Sequence, residues 1–216
     1  MSRARKKQNS DWKDGFLFLA NDLALDFLNT RPVHDGELTE LIPDFRALLR
    51  WFQTAGLLRS GQASVLQQRW GGSDRARRII EAVRQLREKL RKEISSWRRT
   101  GALHRSTANQ LNRLMADHPM RTRLEASASG PSMELYFEPR QPEDLLTPLA
   151  HSAATLFAHV DRSRVRKCDQ CVLYFHDTSK KGTRRWCSMQ LCGNRRKVAA
   201  YAARQRRRRL RMTKRP

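Results

Sequence analysis

Acidic residues are scarce in this sequence: 21 Asp and Glu stand against 44 Lys and Arg in 216 residues, a formal net charge of +23. A chain so short of carboxylates carries the electrostatic footprint of a protein that meets a polyanion. Long hydrophobic runs are also missing. No stretch of 18 apolar residues occurs, which excludes a membrane-spanning helix. The opening MSRARKKQNSDWKDG is polar and basic, without the apolar core of a secretory signal, so the expected setting is the reducing cytoplasm. Catalytic signatures are absent too: there is no GxSxG, HExxH, phosphate loop or dinucleotide fingerprint. His34, His104, His118, His151 and His159 are scattered singly, and an enzyme is not expected.

Cysteine is sparse, but its placement is informative. All four cysteines fall between positions 168 and 192, spaced C-x2-C, fifteen residues, C-x4-C. Two close pairs of thiolates joined by a turn-bearing spacer suit a tetrahedral structural zinc ion, Zn2+, held by Cys168, Cys171, Cys187 and Cys192. Two disulfides, a redox-active Cys168-x-x-Cys171, or His176 in place of one cysteine are the competing readings. Disulfides need an oxidising compartment, and a thioredoxin-like pair needs a βαβ context. Residues 172–176 are β-branched and aromatic and predict a strand, returned after Lys181-Gly182 by residues 184–187 as the second strand of a hairpin. Trp186 is expected to pack this hairpin on the following helix. Ser188 predicts an N-cap, placing the second cysteine pair where a basic helix begins. Replacing Cys187 with Ser is expected to unfold this unit and leave the helices before it intact.

The segment RRWCSMQLCGNRRK resembles the CGNR zinc finger, named for the run that here is Cys192, Gly193, Asn194 and Arg195. LALDFLNTR at 23–31 and DFRALLRWFQTAGLL at 44–58 resemble the opening of the ABATE-type domain that precedes such fingers. The resemblance implies a bacterial DNA-binding transcription regulator whose N-terminal domain senses a small-molecule effector.

Charge is consistent with that partner. Residues 161–216 hold 19 Lys or Arg and 3 Asp or Glu, so this quarter of the chain carries +16 and the remainder +7. Arg184, Arg185, Asn194, Arg195, Lys197 and Arg204 are the candidate DNA contacts. Arg195 is the candidate base reader, and Arg206 to Arg209 would add phosphate affinity without specificity. Such a protein would lie with the nucleoid, and a two-fold operator would imply a homodimer. RNA or ribosomal binding is the alternative partner call, and a zinc-stabilised module docking acidic proteins is a third.

The expected fold is mainly α with a small β-hairpin in the N-terminal domain, followed by a four-cysteine zinc finger made of a hairpin and a basic helix. Residues 1–15 read as a flexible basic arm, 16–163 as the helical sensor-type domain and 164–216 as the finger. Helices are predicted near 22–30, from the Asp44 cap, over 62–70, over 74–99 on the stripe Ile79, Val83, Leu86, Leu90, Ile94 and Trp97, from Ser106, and from Glu143 or Thr147 to about 163. Residues 122–126 and 132–137 predict the hairpin. Asp26, Asn29, Thr30 and Arg31 are polar residues set in an apolar segment, three or four apart where they share a helical face. They either line an effector pocket or close the helix end, with Asp26 paired to an arginine.

Overall fold

The structure is a computed structural model that describes residues 11–34, 36–59, 61–117, 120–127 and 130–212. It is 56% helical with small antiparallel sheets, the mainly α architecture expected. His118 and the last four residues lie outside the described part, as do residues 1–10 of the anticipated arm. Residues 11–15 are folded: β1 (Trp12–Lys13) pairs antiparallel with β2 (Phe16–Leu17), which is buried. The arm therefore ends earlier than composition suggested, because Phe16 and Leu17 pull the preceding residues onto the core.

Local signals set the helices. The Asp22 side chain accepts from the Leu25 N–H and starts α1 (Leu23–Leu28). After a second short hairpin, β3 (Val33–His34) with β4 (Glu37–Leu38), the Asp44 carboxylate accepts from the Ala47 N–H and starts α2 (Phe45–Thr54). Helix α3 (Gln62–Trp70) follows. The Ser73 hydroxyl then caps α4 (Asp74–Thr100), the 27-residue spine of the molecule. Side-chain oxygens at these positions satisfy N–H groups that the first turn leaves without partners. The predicted stripe of α4 is buried from Ile79 to Trp97. So are two residues of the same helix that periodicity assigned to solvent. Arg87 donates to Thr30 Oγ1 at 2.8 Å and forms an ion pair with Glu40. Glu93 accepts from the His104 N–H and the Thr107 hydroxyl, which fixes the start of α5 (Arg105–Asp117).

The expected hairpin forms from β5 (Arg121–Ser127) and β6 (Gly130–Tyr136), in the register Leu124 opposite Met133. A 3-10 turn at Pro142–Leu145 leads into α6 (Leu146–His159), and a second at Arg162–Arg164 leads into β7 (Val165–Lys167). Helices α1, α2, α4 and α6 surround one core, in which Trp51 lies against Phe18, Phe27 and Phe52 at centroid distances of 5.6–5.9 Å. The same buried cluster continues without a break into Val165, Cys168, Leu173, Phe175, Cys187 and Cys192.

Candidate metal centre

Two strands flank the first cysteine pair. β7 pairs with β8 (Tyr174–His176), with Val165 opposite His176 and Lys167 opposite Tyr174, so Cys168 and Cys171 sit in the tight turn between them. This corrects the expected pairing of residues 172–176 with 184–187. The strand that precedes a C-x2-C knuckle is the nearer partner for the one that follows it, and the Cys168 N–H closes the turn on the Leu173 carbonyl at 2.8 Å. Residues 184–187 run irregularly beside the knuckle; the Asp169 N–H donates to the Arg185 carbonyl, and Arg185 Nε donates in return to the Asp169 carboxylate.

Asp177, wholly buried, organises the spacer. Its carboxylate accepts from the Ser179 N–H and hydroxyl and, through its other oxygen, from the Arg184 N–H at 2.8 Å. Burial pushes its pKa up, but these bonds and the nearby Arg166 outweigh burial and hold it below the usual carboxylate range. Asp177 stands out in neither spacing nor periodicity, although Asp-Thr-Ser is the signature of an Asx turn. Gly182 turns the spacer back at φ +59, where a Cβ would lie 3.1 Å from the Arg164 guanidinium.

Ser188 is the cap the sequence predicted. Its hydroxyl accepts from the Gln190 and Leu191 N–H groups and donates to Asp11, and a π turn (Met189–Gly193) carries Cys192 back to the other three cysteines. At Gly193 a Cβ would come within 2.5 Å of Sδ of the exposed Met189, whose flexible side chain would have to move aside. Helix α7 (Asn194–Met212) leaves directly from this turn.

The four Sγ atoms lie within 4.8 Å of one another, with Cys171 and Cys187 3.7 Å apart. A tetrahedral ion with M–S bonds of about 2.3 Å has S···S edges of about 3.8 Å, so the cluster has the dimensions of such a site. By themselves, thiols this close sustain a single thiolate. Hydrogen bonds from Cys171 and Cys187 depress the Cys168 pKa. The bond it makes to Cys168 pushes Cys171 up to about 12, Cys187 is raised in the same way, and burial raises Cys192. A divalent cation at the centre removes that conflict, since it stabilises all four thiolates together. His176 is not in the cluster; its N–H donates to the Ala20 carbonyl.

Of the N-terminal residues singled out in sequence, Asn29 holds the strand that follows the knuckle. Asn29 donates to the Tyr174 carbonyl at 2.8 Å and accepts from the Tyr174 N–H at 2.9 Å, standing in for a neighbouring strand. Asp26 accepts from the Leu19 and Ala20 N–H groups, so its partners are backbone donors and not the arginine expected. Thr30 donates to the Phe27 carbonyl and accepts from Arg87. Arg31 pairs with Glu88 at 3.3 Å near the surface. Three of the four are thus buried and bonded within the fold, and the set does not converge on one cavity.

The candidate DNA contacts divide as well. Arg184 is turned inward: its guanidinium donates to the carbonyls of Leu19, Trp186 and Cys187 and lies 4.3 Å from the Phe175 ring centroid. Arg185 is exposed, bonded to Asp169, with the half-buried Trp186 beneath it. Asn194, Arg195, Lys197, Arg204 and Arg206 are all exposed on α7; the side chains of Arg207 to Arg209 lie outside the described part.

Four clustered cysteine sulfurs, three of the residues buried and Cys171 half-buried, on a knuckle and a capped turn define a metal site of the zinc-finger class. Residues 164–205 match the CGNR zinc finger, and residues 21–160 match ABATE, described as "Putative stress-induced transcription regulator". The second match spans well over half the chain, and the chain belongs to that family. No curated protein matches it. Among the described residues, no helix is long and apolar enough to cross a membrane.

Proposed function

We propose that this protein is a zinc-loaded, DNA-binding transcription regulator in which α7 is the reading element. The observation that carries this is the helix itself. Over 19 residues it holds nine Lys or Arg and no acid, and almost all of its described side chains face solvent. Arg195, Ala199, Ala202 and Arg206 share one face at i, i+4, i+7 and i+11, with Lys197, Tyr201 and Arg204 on another. A helix entering the major groove presents one face to base edges and its flanks to phosphates, and the two alanines let the backbone approach closely. Arg195, in the first turn beside the metal turn, is the base reader; Lys197, Arg204 and Arg206 neutralise phosphates. Zinc is the ion, four cysteines being its structural donor set. The protein works at the nucleoid in the cytoplasm. Its effector would act on α1, which holds β8 through Asn29.

The test is selection of bound fragments from random DNA and RNA pools by the zinc-loaded protein. A short recurrent DNA site supports the reading, and its symmetry reports whether a homodimer binds. Arg195→Ala should then cost about 1–3 kcal/mol on that site and little on random duplex. Preference for RNA, or duplex binding without any recurrent site, overturns it.

A further inference from the structure

Where the last turn of α4 meets the finger, Arg98, Arg166, Lys167, Arg184 and Arg185 line an open cleft of about 400 Å³. Against five cations the described lining holds one carboxylate, Asp169, and that is engaged by Arg185 Nε at 2.9 Å. The guanidinium groups are fixed from behind. Arg98 donates to the Val165 carbonyl and lies 5.7 Å from the Tyr174 ring centroid. Arg166 donates to the Gly182 carbonyl at 2.7 Å. Arg184 is held by its three carbonyls. Lys167, exposed between them, has no hydrogen-bond partner among the described residues.

Cations crowded in this way repel one another unless an anion joins them, and their fixed geometry means that little ordering remains to be done when it does. Burial lowers the Arg98 pKa, opposed by Tyr174 and reinforced by Arg166. We propose that this cleft binds a phosphate group, held by Arg98 from the helical unit and by Lys167 and Arg185 from the finger. A carboxylate offers two oxygens in one plane and satisfies a single fork. A phosphate offers oxygens in several directions and suits donors converging from three segments of chain. Occupancy would pin the end of α4 to the metal knuckle. The phosphate can belong to a free phosphorylated compound or to a nucleic-acid backbone, and the cleft stands apart from the reading of α7.

The test uses the full zinc-loaded chain in ¹H–¹⁵N NMR, titrated with inorganic phosphate and separately with a short duplex, against sodium chloride at matched ionic strength. Shifts of the Lys167, Thr183 and Arg185 amides with phosphate establish the site for free anions; shifts with duplex alone establish it for backbone phosphate. In Lys167→Gln/Arg185→Gln, exposed positions whose exchange leaves the core intact, the same shifts should need about tenfold or more ligand. No shift with either probe, equal shifts with chloride, or an unchanged midpoint in the double variant overturns the proposal. A protein that binds no DNA still gives a decisive result with free phosphate.

Discussion

Asp26 is 8% exposed, and burial pushes its pKa from 3.8 to about 6 against the pull of the Ala20 and Leu19 N–H groups. The folded state therefore binds this proton more tightly than the unfolded chain does. The stability it contributes is full below about pH 4 and is lost as pH rises through about 6. Asp26→Asn keeps an acceptor for both N–H groups and never ionises. It should stabilise the protein at pH 7.5 by on the order of 1–2 kcal/mol, a gain that vanishes near pH 4 in thermal unfolding across that range. Asn29 makes the opposite case. Asn29→Ala leaves both backbone groups of Tyr174 buried without partners and should cost about 2–4 kcal/mol by denaturant midpoint. Asn29→Asp should not restore it, since a carboxylate can accept from the Tyr174 N–H but has nothing to donate to its carbonyl. The sequence marked these residues as lining a pocket or closing the helix end, and Asn29 and Thr30 do sit at that end, but the partner of the Asn29 side chain was not legible. Asn29 and Tyr174 are 145 positions apart, and no local pattern records a bond of that span.

At the scale of elements, whatever depends on neighbours within one turn was legible. Asp44 and Ser188 cap where their positions predict, because a cap satisfies N–H groups only two or three residues ahead. The cysteine spacing gave the metal cluster for the same reason, each pair closing its own short loop. Strand choice was harder. The segment at 172–176 was expected to pair with 184–187, because nothing in composition marks Val165–Lys167 as the strand that takes it. Helix α7 was predicted, but not how little supports it. Its main neighbour is the π turn that launches it, and nine like charges along 19 residues disfavour an isolated helix. Amides of residues 195–206 should exchange with solvent almost unprotected in the free protein and slow at least about tenfold on saturating duplex. Strong protection without DNA would mean that another surface already covers the helix.

Across the whole molecule, the expected independence of the finger gives way to a shared core. Phe175, wholly buried, belongs to the same cluster as Phe27 and Leu28, and Asn21, Asn29, Arg91 and Arg98 each donate to backbone carbonyls between residues 165 and 176. A sequence places a boundary where composition changes, and the basic finger differs sharply in charge from the helices before it. The apolar residues that cross that boundary are too few and too scattered to show in composition. This alters the consequence of losing the metal. If the units were separate, a chelator or Cys187→Ser would melt the finger and spare the helices. With one core, the four sulfurs and the helices α1 and α6 should unfold together. A loss of about 4 kcal/mol, less than half of what structural zinc supplies to fingers that fold only on binding it, would lower the melting temperature by about 8–16 °C. Far-ultraviolet and tryptophan near-ultraviolet signals followed together on heating, with and without chelator, decide the matter. One transition moving as a whole is expected. A helical signal that melts at the same temperature whether or not metal is bound would show that the shared core does not couple the two parts.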